Sequence, residues 1–140
     1  MSQRPRITTI LPCTNFDSAI KFFVRLGFTP PTPEQRTEWD QYLLMSHPNG
    51  SDIHLRELGP DEEGWVVPER NSFGIYVYSE DVEALGVEFK DEIIEAGKRP
   101  EVKEWGLLEF SVNGPDGCLV RVGWPVKDLE EKKKAATVVD

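Results

Sequence analysis

The fold of this chain is decided by the stretch Glu104-Trp105-Gly106-Leu107-Leu108-Glu109-Phe110-Ser111-Val112-Asn113, which continues through Gly114-Pro115-Asp116-Gly117 into Cys118-Leu119-Val120-Arg121-Val122. Apolar and polar residues alternate on both sides of the central segment. Because successive residues of a β-strand point to opposite faces, this alternation predicts two strands. One proline and two glycines in the central segment are typical of a turn. The stretch therefore predicts a β-hairpin.

The two faces of the predicted hairpin differ in polarity. The apolar face carries Leu108, Phe110, Val112, Val120, Val122 and Trp124, and we expect Trp124 to lie in the core. The polar face carries Trp105, Glu109, Ser111, Leu119 and Arg121. A three-residue loop at positions 114–116 would place Glu109 directly opposite Arg121. We therefore expect these two side chains to form an ion pair across the hairpin.

Length and composition indicate a soluble globular protein. The chain has 140 residues, enough for one domain or for two small repeats fused around shared cores. No apolar run is long enough to cross a bilayer, so we expect no membrane partner. The N-terminal residues lack the apolar stretch of a secretion signal, which predicts a cytoplasmic location. The two cysteines are too few for a disulfide scaffold and are expected to be small buried thiols.

The net charge limits the possible partners. A formal charge of −9 argues against nucleic acid, because phosphate binding requires clustered lysines and arginines. An acidic surface favours cationic ligands, although the need for solubility explains the same charge without any ligand.

The first half of the chain predicts a strand, a helix and three further extended segments. Residues 6–12 read as a strand, and Asn15 is a suitable N-cap for a helix that ends at Gly27. Another extended piece begins at Phe28. Strands are then predicted over residues 38–46 and 52–58, joined by a turn rich in polar residues, proline and glycine.

The second half repeats this pattern. After a strand over residues 73–78, an acidic first turn at residues 79–81 begins a helix that we expect to end at Gly97. An extended segment near residues 99–103 precedes the hairpin. The apolar stripe of the predicted helix consists of Val82, Leu85, Phe89, Ile93 and Ile94. The recurrence indicates an internal duplication of pattern without residue-by-residue identity.

The predicted organisation is one structural domain made of two modules. Residues 1–58 form the first module, residues 59–71 a polar linker and residues 72–125 the second module. The charged tail, residues 126–140, is expected to be a solvated and partly frayed end, with an added charged helical turn as the alternative.

Several pieces of the chain together resemble the vicinal oxygen chelate superfamily, which includes glyoxalases, bleomycin resistance proteins and dioxygenases. These pieces are Leu11-Pro12 to Phe22-Phe23 with Leu26-Gly27-Phe28, Ser79 to Leu85, Glu104-Trp105-Gly106, and Gly114-Pro115-Asp116-Gly117. The tryptophan-glycine strand followed by the proline-aspartate-glycine turn is most similar to the bleomycin resistance proteins. The resemblance implies an α+β fold in which paired βαβββ modules form a curled, cup-like mixed sheet with helices on the convex side.

The resemblance also implies where a metal would bind in this chain. Metal enzymes of the superfamily place four His, Glu or Gln ligands on the concave strands, at positions that correspond here to Thr8, His54, Gly74 and Arg121. Of these only His54 is a good ligand, because glycine has no side chain and arginine repels a cation. We therefore expect no metal, no cofactor and no catalytic residues.

The candidate ligand-binding residues combine flat rings with hydrogen-bonding and charged groups. Aromatic rings can stack on planar ligands, and carboxylates can hold amines. A lone histidine such as His54 is more often a hydrogen-bonding residue than a ligand or general base. Residues 61–63 could add an acidic rim, and Tyr78 shares the strand face of Tyr76. The candidates are Trp39, His54, Trp65, Tyr76, Trp105, Glu109 and Arg121.

Residues and resemblance together favour a metal-independent binding protein that sequesters a cationic glycopeptide antibiotic. The resemblance implies a homodimer with ligand grooves where two subunits meet. One alternative is a lyase or dioxygenase of the same superfamily that holds a divalent metal through His54 with Asp52 or Glu57. A second alternative is a binding protein for a different small molecule.

Overall fold

The computed structural model describes residues 7–58 and 71–138, with side chains to residue 136. These residues form four α-helices and seven strands. The helices are α1 (Phe16–Arg25), α2 (Pro33–Glu38), α3 (Val82–Glu88) and α4 (Val126–Val138). The strands are β1 (Ile10–Cys13), β2 (Tyr42–Ser46), β3 (Asp52–Glu57), β4 (Gly74–Tyr78), β5 (Glu101–Val102), β6 (Leu107–Asn113) and β7 (Leu119–Pro125).

The chain divides into two compact units. The first unit contains Met1–Phe73 and Gly114–Cys118, and the second contains Gly74–Asn113 and Leu119–Asp140. A three-stranded sheet of order β1-β3-β2 lies in the first unit, and a four-stranded sheet of order β4-β7-β6-β5 lies in the second. Each sheet has one parallel pair, β1 with β3 and β4 with β7, and is otherwise antiparallel. The predicted α+β class with mixed sheets is confirmed.

Helix α1 begins and ends where the sequence predicts. The side chain of Asn15 accepts a hydrogen bond from the backbone N–H of Ser18 at 3.0 Å and so satisfies one free donor of the first turn. Gly27 ends the helix with φ +102°, a backbone conformation that residues other than glycine rarely adopt. The apolar stripe of α1 is buried: Phe16, Ala19, Phe22 and Phe23.

The end of a short helix and a turn at residues 39–41 replace the beginning of a predicted strand in the first unit. Residues 38–46 were expected to be extended, but α2 runs to Glu38 and β2 begins only at Tyr42. A reciprocal capping box between Thr32 and Gln35, with Pro33 at the first helical position, stabilises α2 locally. The extended piece expected after Phe28 is not a strand, although the N–H of Thr29 donates to the carbonyl of Ser46 at 2.8 Å.

Helix α3 is shorter than its apolar stripe suggested. It ends at Glu88, and a 3-10 turn (Lys90–Glu92) follows. The N–H of Ile94 donates to the carbonyl of Ser111 at 2.8 Å, so the chain runs along β6 at a position predicted to be helical. Ile93 remains buried, and the prediction of a helix extending to Gly97 is wrong.

The β6–β7 hairpin forms, but with a longer loop than expected. Asn113 pairs with Leu119, Ser111 with Arg121 and Glu109 with Gly123. Residues 114–118 therefore make the loop, and the predicted direct pairing of Glu109 with Arg121 is wrong by two residues. A shift of two preserves the faces, because the side-chain period of a strand is two.

Two further expectations about the second unit are corrected. Trp124 is only half-buried and contacts the ring of Tyr78 edge-on, with ring centroids 6.4 Å apart. The tail, expected to be frayed, contains helix α4, whose first backbone N–H at Val126 donates to the carbonyl of Gly106 at 3.0 Å. Within residues 7–58 and 71–138, no helix is long and apolar enough to cross a membrane.

Candidate ligand-binding site

Four of the seven candidate residues meet on one face of the second unit's sheet. Tyr76 lies on β4, Arg121 on β7 and Glu109 on β6, with β7 between the other two strands. Trp105 was expected on the strand itself but lies in the turn that precedes β6. We call these four residues the Glu109 cluster.

Glu109 is the centre of the cluster. Its side chain is 1% exposed, and its Oε1 accepts hydrogen bonds from Trp105 Nε1 at 2.9 Å and from Tyr76 Oη at 3.1 Å. Two donors on one oxygen fix the position of the carboxylate. Sequence alternation had placed Glu109 on a polar face, and the structure shows that this polar face is buried at Glu109.

Among the described residues, the second carboxylate oxygen of Glu109 has no hydrogen-bond partner. Glu109 Oε2 is buried, and Arg121 Nε faces it at 3.8 Å. This separation is within ion-pair range but too long for a hydrogen bond. An unsatisfied buried acceptor costs free energy, and such groups in proteins are usually paired. Oε2 therefore retains unused capacity to accept a hydrogen bond.

A glycine makes room for the cluster. Gly123 lies opposite Glu109, and a Cβ there would be 2.1 Å from Tyr76 Oη and 2.8 Å from Glu109 Cβ. Only the missing side chain allows Tyr76 to reach the carboxylate across the intervening strand. Gly123 was not among the predicted site residues, although a glycine inside a strand often marks a close approach of neighbouring groups.

Tyr76 keeps its proton in this environment. Burial, followed by the hydrogen bond to Glu109, raises the pKa of the Tyr76 phenol well above its ordinary value. The neutral phenol is the form that donates to Oε1. Tyr76 therefore remains a hydrogen-bond donor throughout the physiological pH range.

Trp105 presents an accessible ring beside the carboxylate. The N–H of Gly106 donates to the carbonyl of Lys103 at 2.9 Å to close the turn, and Gly106 has φ +85°. Although its indole N–H is bound to Glu109, the Trp105 side chain is 56% exposed. Tyr78 adds a second exposed ring next to Tyr76, with ring centroids 4.8 Å apart. A flat ligand could therefore stack here.

His54 lies in the first unit and has a hydrogen-bond partner there. Its Nδ1 is 2.7 Å from Tyr42 Oη, a residue that the sequence analysis had not selected. Asp52 accepts a hydrogen bond from Thr8, and Glu57 accepts from the backbone N–H of Phe16 at 2.8 Å. Strand alternation places Glu57 and His54 on opposite faces of β3. The alternative metal ligand set of His54 with Glu57 is therefore not assembled.

Trp39 also lies in the first unit. It is half exposed at the end of α2 and lines a small open cavity of about 120 Å³ together with Gln35, Glu38, Leu43 and Leu44. Trp65 and the predicted acidic rim, residues 61–63, lie outside the described residues, as does the predicted linker except for Asn71.

The residues at the four positions of the superfamily's metal ligands do not fit a divalent cation. Thr8 donates to Asp52, Gly74 has no side chain and Arg121 brings a positive charge. In the part of the chain that the structure describes, no group of three or more His, Cys, Asp or Glu side chains could hold a metal ion.

Two mixed sheets, each with its helices, define the class of fold of this chain. It is the fold of the glyoxalase, bleomycin resistance and dioxygenase superfamily, and comparison with solved structures confirms it. No family model matches the sequence, and no curated protein matches it.

Three solved structures illustrate the likeness. A bleomycin-binding protein complexed with bleomycin is 22% identical, with 86% of this chain and 98% of that chain covered and a TM-score of 0.62. A bleomycin resistance determinant encoded on the transposon Tn5 is 20% identical, with 87% and 98% covered and a TM-score of 0.64. TioX from Micromonospora sp. ML1 is 16% identical, with 87% and 97% covered and a TM-score of 0.62. At these identities the likeness establishes the fold.

Proposed function

We propose that this protein is a metal-independent small-molecule binding protein, similar to bleomycin resistance proteins, that sequesters a cationic glycopeptide antibiotic without altering it. The observation that carries the proposal is the Glu109 cluster, in which a fixed, buried carboxylate lies beside an exposed indole ring. A solved structure of similar fold is a bleomycin-binding protein complexed with bleomycin, which supports this ligand class.

Binding would combine stacking with charge attraction. Trp105 and Tyr78 offer ring faces to a planar part of the ligand, and Glu109 offers a carboxylate to its positive groups. The net charge of −9 would raise the encounter rate with a cation. None of these steps breaks a covalent bond, so capture is stoichiometric.

The proposal includes a homodimer in the cytoplasm. Bleomycin resistance proteins bind ligand in grooves between two subunits, and the exposed side chains of Val102 and Trp105 supply apolar surface for such a groove. Cys13 and Cys118 are both free thiols, in keeping with a reducing compartment. Sedimentation equilibrium tests the assembly, and a monomer at all concentrations would refute the dimer.

Titration calorimetry with metal-free and copper-loaded bleomycin tests the ligand. We expect saturable binding at micromolar protein and a roughly tenfold loss of affinity in Trp105→Ala, because a central aromatic anchor is removed. Val87→Ala, which truncates an exposed apolar side chain on α3, is the control and should bind normally. An absence of heat with both forms of the drug would reject bleomycin as ligand.

Two further measurements separate this proposal from its alternatives. Elemental analysis of protein purified without chelator is expected to find no stoichiometric divalent metal, and a stoichiometric content would instead favour the superfamily's enzymes. A thermal-shift screen of cationic antibiotics and aromatic metabolites identifies other ligands, because a ligand present well above its dissociation constant raises apparent stability.

A further inference from the structure

We propose that Arg121 is a displaceable cap on Glu109 and that a cationic N–H group of the ligand takes its place. The group would be an amidinium, a guanidinium or an ammonium. This inference rests on the proposed function and deepens it, because it names the chemical group that enters the site and the residue that must leave.

The first argument is the unsatisfied oxygen. Glu109 Oε2 has no hydrogen-bond partner in the described part of the chain, although the residue is 1% exposed. A buried carboxylate oxygen without a donor is destabilised, and supplying a donor recovers that free energy. A ligand that places an N–H against Oε2 gains this recovered free energy in addition to its own contacts.

The second argument is the weakness of the present cap. Arg121 Nε is 3.8 Å from Oε2, too far for a hydrogen bond, and the Arg121 side chain is 47% exposed. A partly solvated ion pair of this kind contributes little and can be exchanged at low cost. An incoming N–H at hydrogen-bond distance would make a charge-assisted bond, which is stronger than the contact it replaces.

The third argument is that the carboxylate is already held in place. Trp105 and Tyr76 both donate to Oε1, so Oε2 is the oxygen available to a donor group of the ligand. A site that is fixed before binding loses little conformational freedom on binding. The exposed ring of Trp105 is beside the entering group and can attract a cation through its face.

Charge balance requires the entering group to be cationic. Among the residues that the structure describes, Arg121 supplies the positive charge that offsets the charge of Glu109. If Arg121 moves aside for a neutral donor, the buried carboxylate loses its counter-charge and gains none in return, so the exchange is unfavourable. A cationic donor restores the balance as it binds.

Benzamidine and benzamide test the proposal, because they have nearly the same shape and differ in charge. The readout is the NMR signal of the Trp105 indole N–H, assigned by its loss in Trp105→Phe. We expect saturable shifts with benzamidine and weak or no shifts with benzamide. In Arg121→Met benzamidine should bind roughly tenfold more tightly, because its competitor is gone. In Glu109→Gln this binding should be lost.

Controls make every outcome decisive. Lys132→Met removes one positive charge from an exposed position on α4 and should not change benzamidine affinity. Thermal unfolding checks that each variant is folded. If Glu109→Gln is unfolded, the affinity of Arg121→Met for benzamidine decides the test. Weaker or unchanged benzamidine binding in Arg121→Met overturns the proposal, as does the absence of binding to both that variant and the wild type. If bleomycin does not bind but benzamidine behaves as expected, bleomycin is rejected as the ligand. The proposal that a cationic group displaces Arg121 from Glu109 is then still supported.

Discussion

Glu109 Oε2 and Arg121 Nε lie 3.8 Å apart on neighbouring antiparallel strands, in a diagonal relationship. The residue directly opposite Arg121 is Ser111, and the residue directly opposite Glu109 is Gly123. Diagonal neighbours on one face remain within reach of long side chains. The pair is therefore asymmetric, with a buried carboxylate held by two donors and a guanidinium that is about half exposed.

Removal of Arg121 is expected to destabilise the fold measurably. In Arg121→Met the buried carboxylate loses its counter-charge, and we expect a loss of roughly 1 kcal/mol, less than for a fully buried pair because Arg121 is half exposed. Urea unfolding measures this change. Lys132→Met, which breaks an ion pair exposed on both sides, should change stability by less than about 0.5 kcal/mol. Equal effects of the two substitutions would show that Glu109 does not depend on Arg121.

The sequence identified the faces of the hairpin but not its register. Alternation placed Glu109 and Arg121 on one face correctly. The loop was expected to span residues 114–116, whereas it spans residues 114–118, with Asp116 at φ 57° and Gly117 at φ 80°. A proline and two glycines indicate a turn without specifying which residues adopt left-handed conformations. The error of two residues conserved the faces, which is why the predicted ion pair survives as a diagonal contact.

Tertiary interactions account for two further misses, the length of α3 and the convergence of two side chains on Glu109. The apolar stripe of the predicted helix continues to Ile94, but a backbone hydrogen bond to Ser111 directs that segment along β6. The sequence also selected Tyr76, Trp105 and Glu109 as ligand-binding candidates without indicating that the first two would both donate to one carboxylate oxygen of the third. Such convergence depends on strand order, which one sequence does not specify.

Tyr76 is expected to titrate at a higher pH than a free tyrosine. Burial and the hydrogen bond to Glu109 raise the pKa of Tyr76 above its ordinary value of 10.0. The stability that this shift contributes is fully present below that value and is lost as pH rises through the higher folded-state pKa. Tyrosinate absorbance of the wild type minus that of Tyr76→Phe isolates this group. A difference curve centred at the ordinary value would contradict the hydrogen-bonded geometry.

The two cysteines are expected to be unreactive in the folded protein. Burial, with a further contribution from Asp116, raises the pKa of Cys13 to about 12 and that of Cys118 to about 11, from 9.0. Because the thiolate is the reactive form, a disulfide reagent at mildly alkaline pH should label neither thiol rapidly until urea is added. The associated stability is present below pH 9.0 and is lost as pH rises through these two values. Rapid stoichiometric labelling without urea would contradict this prediction.

Asp116 is expected to anchor the start of α1. Its carboxylate accepts hydrogen bonds from the backbone N–H of Thr14 at 2.8 Å and from the Thr14 hydroxyl at 2.5 Å. Asp116→Ala removes both hydrogen bonds and places alanine, which disfavours the left-handed conformation, at φ 57°. We therefore expect the free energy of unfolding to fall by roughly 2–3 kcal/mol. Asp116→Asn keeps one acceptor and tolerates this φ, and should lose less. Equal stability of the wild type and the alanine variant in urea unfolding would refute the anchor.

Gly123 is expected to be the least replaceable glycine of the second sheet. A Cβ at this position would lie 2.1 Å from Tyr76 Oη and 2.9 Å from the carbonyl oxygen of Leu108, so Gly123→Ala must displace Tyr76 from Glu109. We expect destabilisation of roughly 1–3 kcal/mol in urea unfolding, the usual cost of overpacking. Gly74→Ala is the matched control, because a Cβ there meets nothing within 4 Å.

A double variant locates the cause of this destabilisation. Tyr76→Phe removes the hydroxyl that the new Cβ would strike, so Gly123→Ala should cost less in the Tyr76→Phe background than in the wild type. Gly74→Ala should cost the same in both backgrounds. If Gly123→Ala were equally harmful with and without the hydroxyl, the clash would lie with Glu109 Cβ and the Leu108 carbonyl of β6, and Gly123 would not control the Tyr76–Glu109 hydrogen bond.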